Sequence, residues 1–234
     1  MRTAAPLLLV ALLAACGAAP TAAVAPPYGE WISARGAHHP LAGRIWAVAD
    51  GAWIEPAALV QRLRQAPFVF LGEKHDNPDH HRLQAWIIGE LFAGGRHGAV
   101  AFEMLDEDDV APLAALDRPT ATDVARAVDW ARSGWPPFAI YRPVFEAALA
   151  AGARLVAAHP SRDTLRVAMT EGVDGWPATR RARLGLDRPL PPEAQAALRQ
   201  RIIETHCGHA PAHIIEPMAL AQRVKDGWMA SRLL

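Results

Sequence analysis

Glu73 and His75 stand two residues apart in Leu71-Gly-Glu-Lys-His75, where the apolar run Phe68-Val-Phe-Leu71 stops. An acid and an imidazole at that spacing could relay a proton or help hold a divalent metal. A second apolar run, Ala99-Val-Ala-Phe102, ends on Glu103, and a third, Arg154-Leu-Val-Ala-Ala158, ends on His159. Taken singly, such residues are most often solvated loop charges. Their repetition favours chemistry, because strand-like runs that each end on Glu or His bring those side chains to one edge of a parallel sheet. In open α/β sheets that carboxyl edge is where ligands bind. His206, in Thr205-His-Cys-Gly-His209, closes a helix and joins Glu73, His75 and Glu103 as a catalytic or metal-ligating candidate. There is no His-Glu-x-x-His and no Cys-x-x-Cys, so spacing selects no particular metal.

A different chemistry is suggested further along. Trp130, Trp135, Phe138 and Tyr141 fall within a dozen residues around Gly134 and the pair Pro136-Pro137. Aromatics at this density commonly seal a cap onto a core. The chain has eight tryptophans and two tyrosines, so a tyrosine opening a helix beneath a Trp-rich loop stands out. Its phenolate could ligate ferric haem, with Trp135 covering the porphyrin. Arg142 or Arg162 could meet a propionate, since the guanidinium fork suits carboxylates.

The elements that must position these residues follow from pattern. Asp50-Gly51 between Arg44-Ile-Trp-Ala-Val48 and Trp53-Ile54 is a hairpin signal. Glu55-Pro56 opens a helix to about Gln65. Asn77 can cap, and Pro78 suits a first turn, so a helix is predicted over 78–93. Strands are predicted at 68–71, 99–103 and 154–158, and helices at 106–131 (in two pieces), from about Tyr141 to Ala151, and through most of 161–232. Strands alternating with helices imply an α/β fold, a mostly parallel sheet flanked by helices with a helical cap insertion. His81 and Gln84 share a face of the helix over 78–93, although a histidine at a helix start is more often solvated.

Met1-Arg2, the apolar stretch Ala4–Ala11 and Leu13-Ala-Ala-Cys16 form a secretory signal too short for a membrane span. Leu-Ala-Ala-Cys resembles a bacterial lipobox. Residues 1–15 are therefore expected to be a lipoprotein signal peptide and Cys16 the lipidated first residue. Residues 16–40, rich in Ala, Pro and Gly, are expected to be a flexible tether, and 41–234 one α/β domain. Gly17 after the cysteine leans towards an outer-membrane lipoprotein facing the periplasm of a Gram-negative bacterium. Basic and acidic residues number 24 each. That balance offers no basic face for nucleic acid. With Cys16 acylated, Cys207 has no partner for a disulfide.

Three stretches carry a resemblance. Leu71-Gly-Glu-Lys-His-Asp-Asn-Pro-Asp-His-His-Arg-Leu-Gln84, Ala101-Phe-Glu-Met-Leu105 and Gly134-Trp-Pro-Pro-Phe-Ala-Ile-Tyr141-Arg-Pro143 resemble the ChaN-like haem-binding lipoproteins of the wider Tiki/TraB/erythromycin-esterase-like superfamily. Thr205-His-Cys-Gly208 and Met218-Ala-Leu-Ala-Gln-Arg-Val-Lys-Asp226 fall in the family's order. The resemblance covers about 41–232. It implies an α/β sheet with a helical cap, haem (iron protoporphyrin IX) held with a tyrosine on iron, a role in haem or iron uptake, and an outer-membrane haem receptor as partner. The ligand position falls on Tyr141. Where the family usually has Asn, this chain has His159, a rival ligand. Relatives also run on to a further strand, so a C-terminal strand is expected to be missing and a homodimer to complete the sheet edge. Superfamily relatives that are hydrolases suggest the alternative, a metal-dependent hydrolase using Glu73, His75 and Glu103.

Overall fold

The computed structural model describes residues 25–95 and 97–234. Cys16 and the rest of the signal sequence lie outside the described residues. An antiparallel hairpin comes first, β1 (Ile45–Ala47) against β2 (Ala52–Ile54), turned at Gly51 with φ +61°. Glycine bears that left-handed conformation without the clash of a Cβ. Then follow α1 (Pro56–Gln65) and α2 (Pro78–Phe92). Asn77 caps α2 by accepting from the Asp79 N–H at 2.9 Å, and Pro78 occupies its first turn.

β3 (Ala99–Asp106) and β4 (Arg154–His159) pair in parallel. Between them run a 3-10 turn (Glu107–Asp109), α3 (Val110–Ala114), α4 (Ala121–Ala127), α5 (Trp130–Ser133) and α6 (Phe138–Ala150). After β4 come α7 (Arg162–Glu171), α8 (Ala178–Arg183), α9 (Pro192–Thr205) and α10 (Ala212–Leu233). Val156, Ala157 and Ala158 are buried in succession along β4. Consecutive burial means that both faces of the strand are covered, as parallel sheets require. α6 and α10 both pack against β4, and α2 packs along α6. The main core joins Ile88 of α2, Phe102 and Leu105 of β3, and Tyr141, Val144 and Phe145 of α6. The Phe102 and Phe145 rings stack at 4.3 Å.

Two expectations differ from what is observed. Residues 68–71 belong to no strand, and the sheet that holds β3 has two strands among the described residues. A strand needs a partner edge as well as an apolar run. No strand follows β4 among the described residues. The part of the expected tether that is described is also fastened down. Asp79, buried in the first turn of α2, accepts from the Ile32 and Ser33 N–H groups at 2.8 Å and from the Tyr28 hydroxyl at 3.1 Å. Arg82 lies 4.5 Å from the centre of the Tyr28 ring and donates to the Tyr28 carbonyl.

Candidate functional site

Glu73 is the hub of the polar cluster. It lies in the segment between α1 and α2, with its side chain 7% exposed. Oε1 accepts from Nδ1 of His75 at 2.7 Å and from the Tyr141 hydroxyl at 3.0 Å. Oε2 lies 3.0 Å from Nε2 of His81, within ion-pair range but without the alignment of a good hydrogen bond. Burial alone would raise the Glu73 pKa. The contacts from His81, His75 and Tyr141 outweigh it and hold the carboxyl at about 2. Glu73 is therefore a permanent anion at neutral pH.

Each partner is placed by its element. His81 sits in α2 on the face it shares with Gln84, Ile88 and Leu91, all of them buried. Its ring lies over Tyr141 with centroids 4.0 Å apart. Gln84 donates to the Leu71 carbonyl at 3.1 Å and so ties that segment to α2. His75 faces outward, its side chain 46% exposed, and meets Trp135 edge-on at 4.7 Å. Trp135 is held by a folded loop. Its N–H donates to the Ser133 hydroxyl, which in turn donates to the Trp130 carbonyl, while the Trp130 indole donates to the Pro136 carbonyl. Gly134 makes the loop possible. Its φ is +87°, and a Cβ there would press on the Arg162 guanidinium, which donates to the Ser133 carbonyl.

Glu73 and His75 border a cavity of about 590 Å³ that runs between residues 67–73 and β3 and is also lined by Phe70, Phe102 and Glu103. Glu103 was expected at the end of its strand. β3 continues three residues further, and Glu103 falls where its register against β4 slips between Phe102 and Asp106. Irregularities of this kind re-aim side chains.

Tyr141 is the position expected to offer a phenolate to haem iron. It is fully buried, and its hydroxyl is the donor to Glu73. Burial, then the negative charges of Glu73 and Glu103, push its pKa up. Arg142 donates to the Thr122 hydroxyl, 3.0 Å away, and lies beside Glu146, engaged along the cap helices. His159 donates from Nδ1 to the Pro160 carbonyl at 2.7 Å. Burial and Lys225 lower its pKa, so the ring is neutral with Nε2 unprotonated. His206 bonds through Nδ1 to the Ile202 carbonyl of its own helix and does not line the cavity.

The hydrolase alternative gains nothing from this arrangement. A carboxylate held at about 2 is too weak a base for proton abstraction near neutrality. Among the described residues no three His, Cys, Asp or Glu side chains are placed to hold a metal ion. His81 is the participant that sequence reasoning undervalued. Positions 81, 84, 88 and 91 recur at the helical period of a buried face, and that signal was available.

The family model for haem-binding uptake, Tiki superfamily, ChaN, matches residues 59–234. Among solved structures the chain is similar to one described as cofacial heme binding to ChaN of Campylobacter jejuni. The TM-score is 0.62 at 20% identity, over 81% of this chain and 74% of that one. No curated protein matches.

Proposed function

Because the chain belongs to the ChaN family of haem-binding uptake proteins, we propose that it binds haem at the mouth of the cavity beside β3 and serves haem or iron uptake. The observation that carries this reading is the contact of exposed His75 with partly buried Trp135, the histidine bordering an apolar cavity of about 590 Å³. Pockets for molecules of this size are mostly apolar with a few placed polar groups. The residues fit the group: aromatic rings for the porphyrin faces, and imidazoles whose second nitrogen is already engaged. When bound, haem would supply an iron centre open to a donor from the protein. The chain's own residues hold that donor, orient it and limit water around it.

Lipid anchoring belongs to the same proposal. Its support is Leu13-Ala-Ala-Cys16 at the end of an apolar stretch. No helix among the described residues is long and apolar enough to cross a membrane. The anchor would hold the domain on the periplasmic side of the outer membrane, where a haem receptor could hand over its cargo. Haemin titration of the purified protein, followed by absorption, should give a saturable Soret band in the micromolar range or tighter. Sedimentation in the same experiment reads whether two copies assemble on haem. The absence of a saturable spectral change would refute the reading.

A further inference from the structure

Building on the lipid-anchor reading, we propose that the β1–β2 hairpin is a membrane-resting surface: Trp46, Val48 and Trp53 enter the headgroup–acyl boundary of the bilayer that holds the acylated Cys16. The register pairs Trp46 with Trp53, so both indoles stand on one face of the hairpin, and their rings meet edge-on at 4.9 Å. They are 48% and 46% exposed, and Val48, in the turn that follows β1, is 84% exposed. Ile45 and Ile54 form the neighbouring pair, on the opposite face, and are half-buried. The hairpin therefore has two apolar faces, and the tryptophan face has no cover among the described residues. Single exposed apolar residues are ordinary on a protein surface. A tryptophan pair in mutual contact, with an apolar turn beside it, marks an interaction site.

Position and charge name the occupant. Ala25, the first described residue, lies nine positions after Cys16. A stretch of that length spans at most about 30 Å. The chain is then fastened to α2, where Asp79 accepts from the Ile32 and Ser33 N–H groups. An acylated Cys16 thus keeps this end of the domain close to lipid, and residues 31–54 follow directly. The same stretch also exposes Ile32 and Leu41. Besides histidines, its only charged residues are Arg35, Arg44 and Asp50, and Asp50 pairs with Arg62. Nothing there steers a strongly charged partner, so the complement is apolar. Tryptophan suits a bilayer interface in particular, with its ring at the acyl boundary and its N–H among the headgroups.

A contact of this size partitions weakly by itself, and stable attachment takes a second signal. The acyl chains supply that signal and hold the hairpin at high effective concentration over the bilayer. The hairpin then fixes which face of the domain looks at the lipid. None of its residues lines the cavity beside β3. Membrane contact and haem binding can therefore be perturbed separately.

The test uses the acylated full-length protein, reconstituted through its own anchor into phosphatidylcholine vesicles with brominated acyl chains. Tryptophan emission should be quenched by the share that two of the eight tryptophans can give. Trp46→Gln combined with Trp53→Gln should abolish that quenching. Val48→Asp keeps both indoles but sets a charge at the turn, and should cut the quenching by about threefold or more. Val48→Leu should preserve it. Adding phosphatidylglycerol to the vesicles should change nothing, because the contact is apolar. Far-ultraviolet circular dichroism checks folding, and haemin titration should be unaltered in every variant. If the wild type carries acyl mass on Cys16 yet shows no quenching, or if quenching survives in the double variant, the hairpin assignment is overturned while the anchor stands. Quenching confined to phosphatidylglycerol vesicles overturns its apolar basis. A wild type that sediments as a dimer in detergent without haemin, and loses that state in the double variant, gives the face to a second copy and overturns the assignment as well. A wild type with no acyl mass overturns the anchor reading together with the inference that rests on it.

Discussion

Replacing Glu73 by Gln should cost stability in a way that pH exposes. The carboxyl is held at about 2, against an ordinary value of 4.5. Each pH unit of that difference corresponds to ~1.36 kcal/mol, so the folded state gains about 3 kcal/mol at neutral pH from keeping this group ionised. The group's folded pKa is depressed, so the contribution is complete above about 4.5 and is lost as pH falls towards 2. Asp109 works in the opposite sense. Burial raises it to about 6, so its contribution is present below about 4 and lost as pH rises through 6. The two windows barely overlap, but hydrogen bonds also hold Asp79 and Asp123 below the usual carboxylate range, so the acid loss is shared and the difference between wild type and variant is what reports on Glu73. Glutamine keeps the shape but not the charge, and its amide group turns a donor towards a hydroxyl or an imidazole. In thermal unfolding at pH 7 the variant should melt about 6–12 °C lower, using ~2–4 °C per kcal/mol for a domain of this size. The gap should shrink steadily between pH 4.5 and 2.5. If wild type and variant differ by the same amount across that range, or not at all, the carboxylate is not the stabilising centre inferred from its three contacts.

Other outcomes can be checked independently. Gly227 lies in α10 with no room for a Cβ, which would overlap the Leu184 carbonyl oxygen; Gly227→Ala should destabilise by about 1–3 kcal/mol despite its better helix propensity, read by urea unfolding. Asp79→Ala should leave the Ile32 and Ser33 N–H groups unpaired, at a cost of about 1–3 kcal/mol, and open residues 28–33 to limited proteolysis. Cys16→Ser should release the protein from membranes in high salt; a variant that still pellets, with no acyl mass on the wild type, would end the lipoprotein reading.

Local chemistry made much of the fold legible. Asp50-Gly51 announced the hairpin, Asn77-Pro78 announced the start of α2, and both runs that became β3 and β4 were read at nearly their observed bounds. The unpaired state of 68–71 was not legible, because pairing is set by which edges meet and not by the run itself. Glu73, His75 and Glu103 were readable as an assembly since each follows or interrupts an apolar run. The use of Tyr141 was not. A tyrosine near tryptophans looks the same in sequence whether its hydroxyl faces a ligand or a carboxylate 68 residues earlier. The docking of Tyr28 on Asp79 was hidden for the same reason, at a separation of 51 residues.

The segment 67–72 carries a colloidal liability. Phe68 and Phe70 are 47% and 73% exposed on backbone that belongs to no strand. Four uncharged apolar residues beside a β3 that pairs with β4 alone among the described residues form a template for intermolecular pairing. Solubility should therefore be most sensitive at this segment. Handling at high concentration, rather than heating, is the condition under which the protein would first be lost, through clumping of molecules that are still folded.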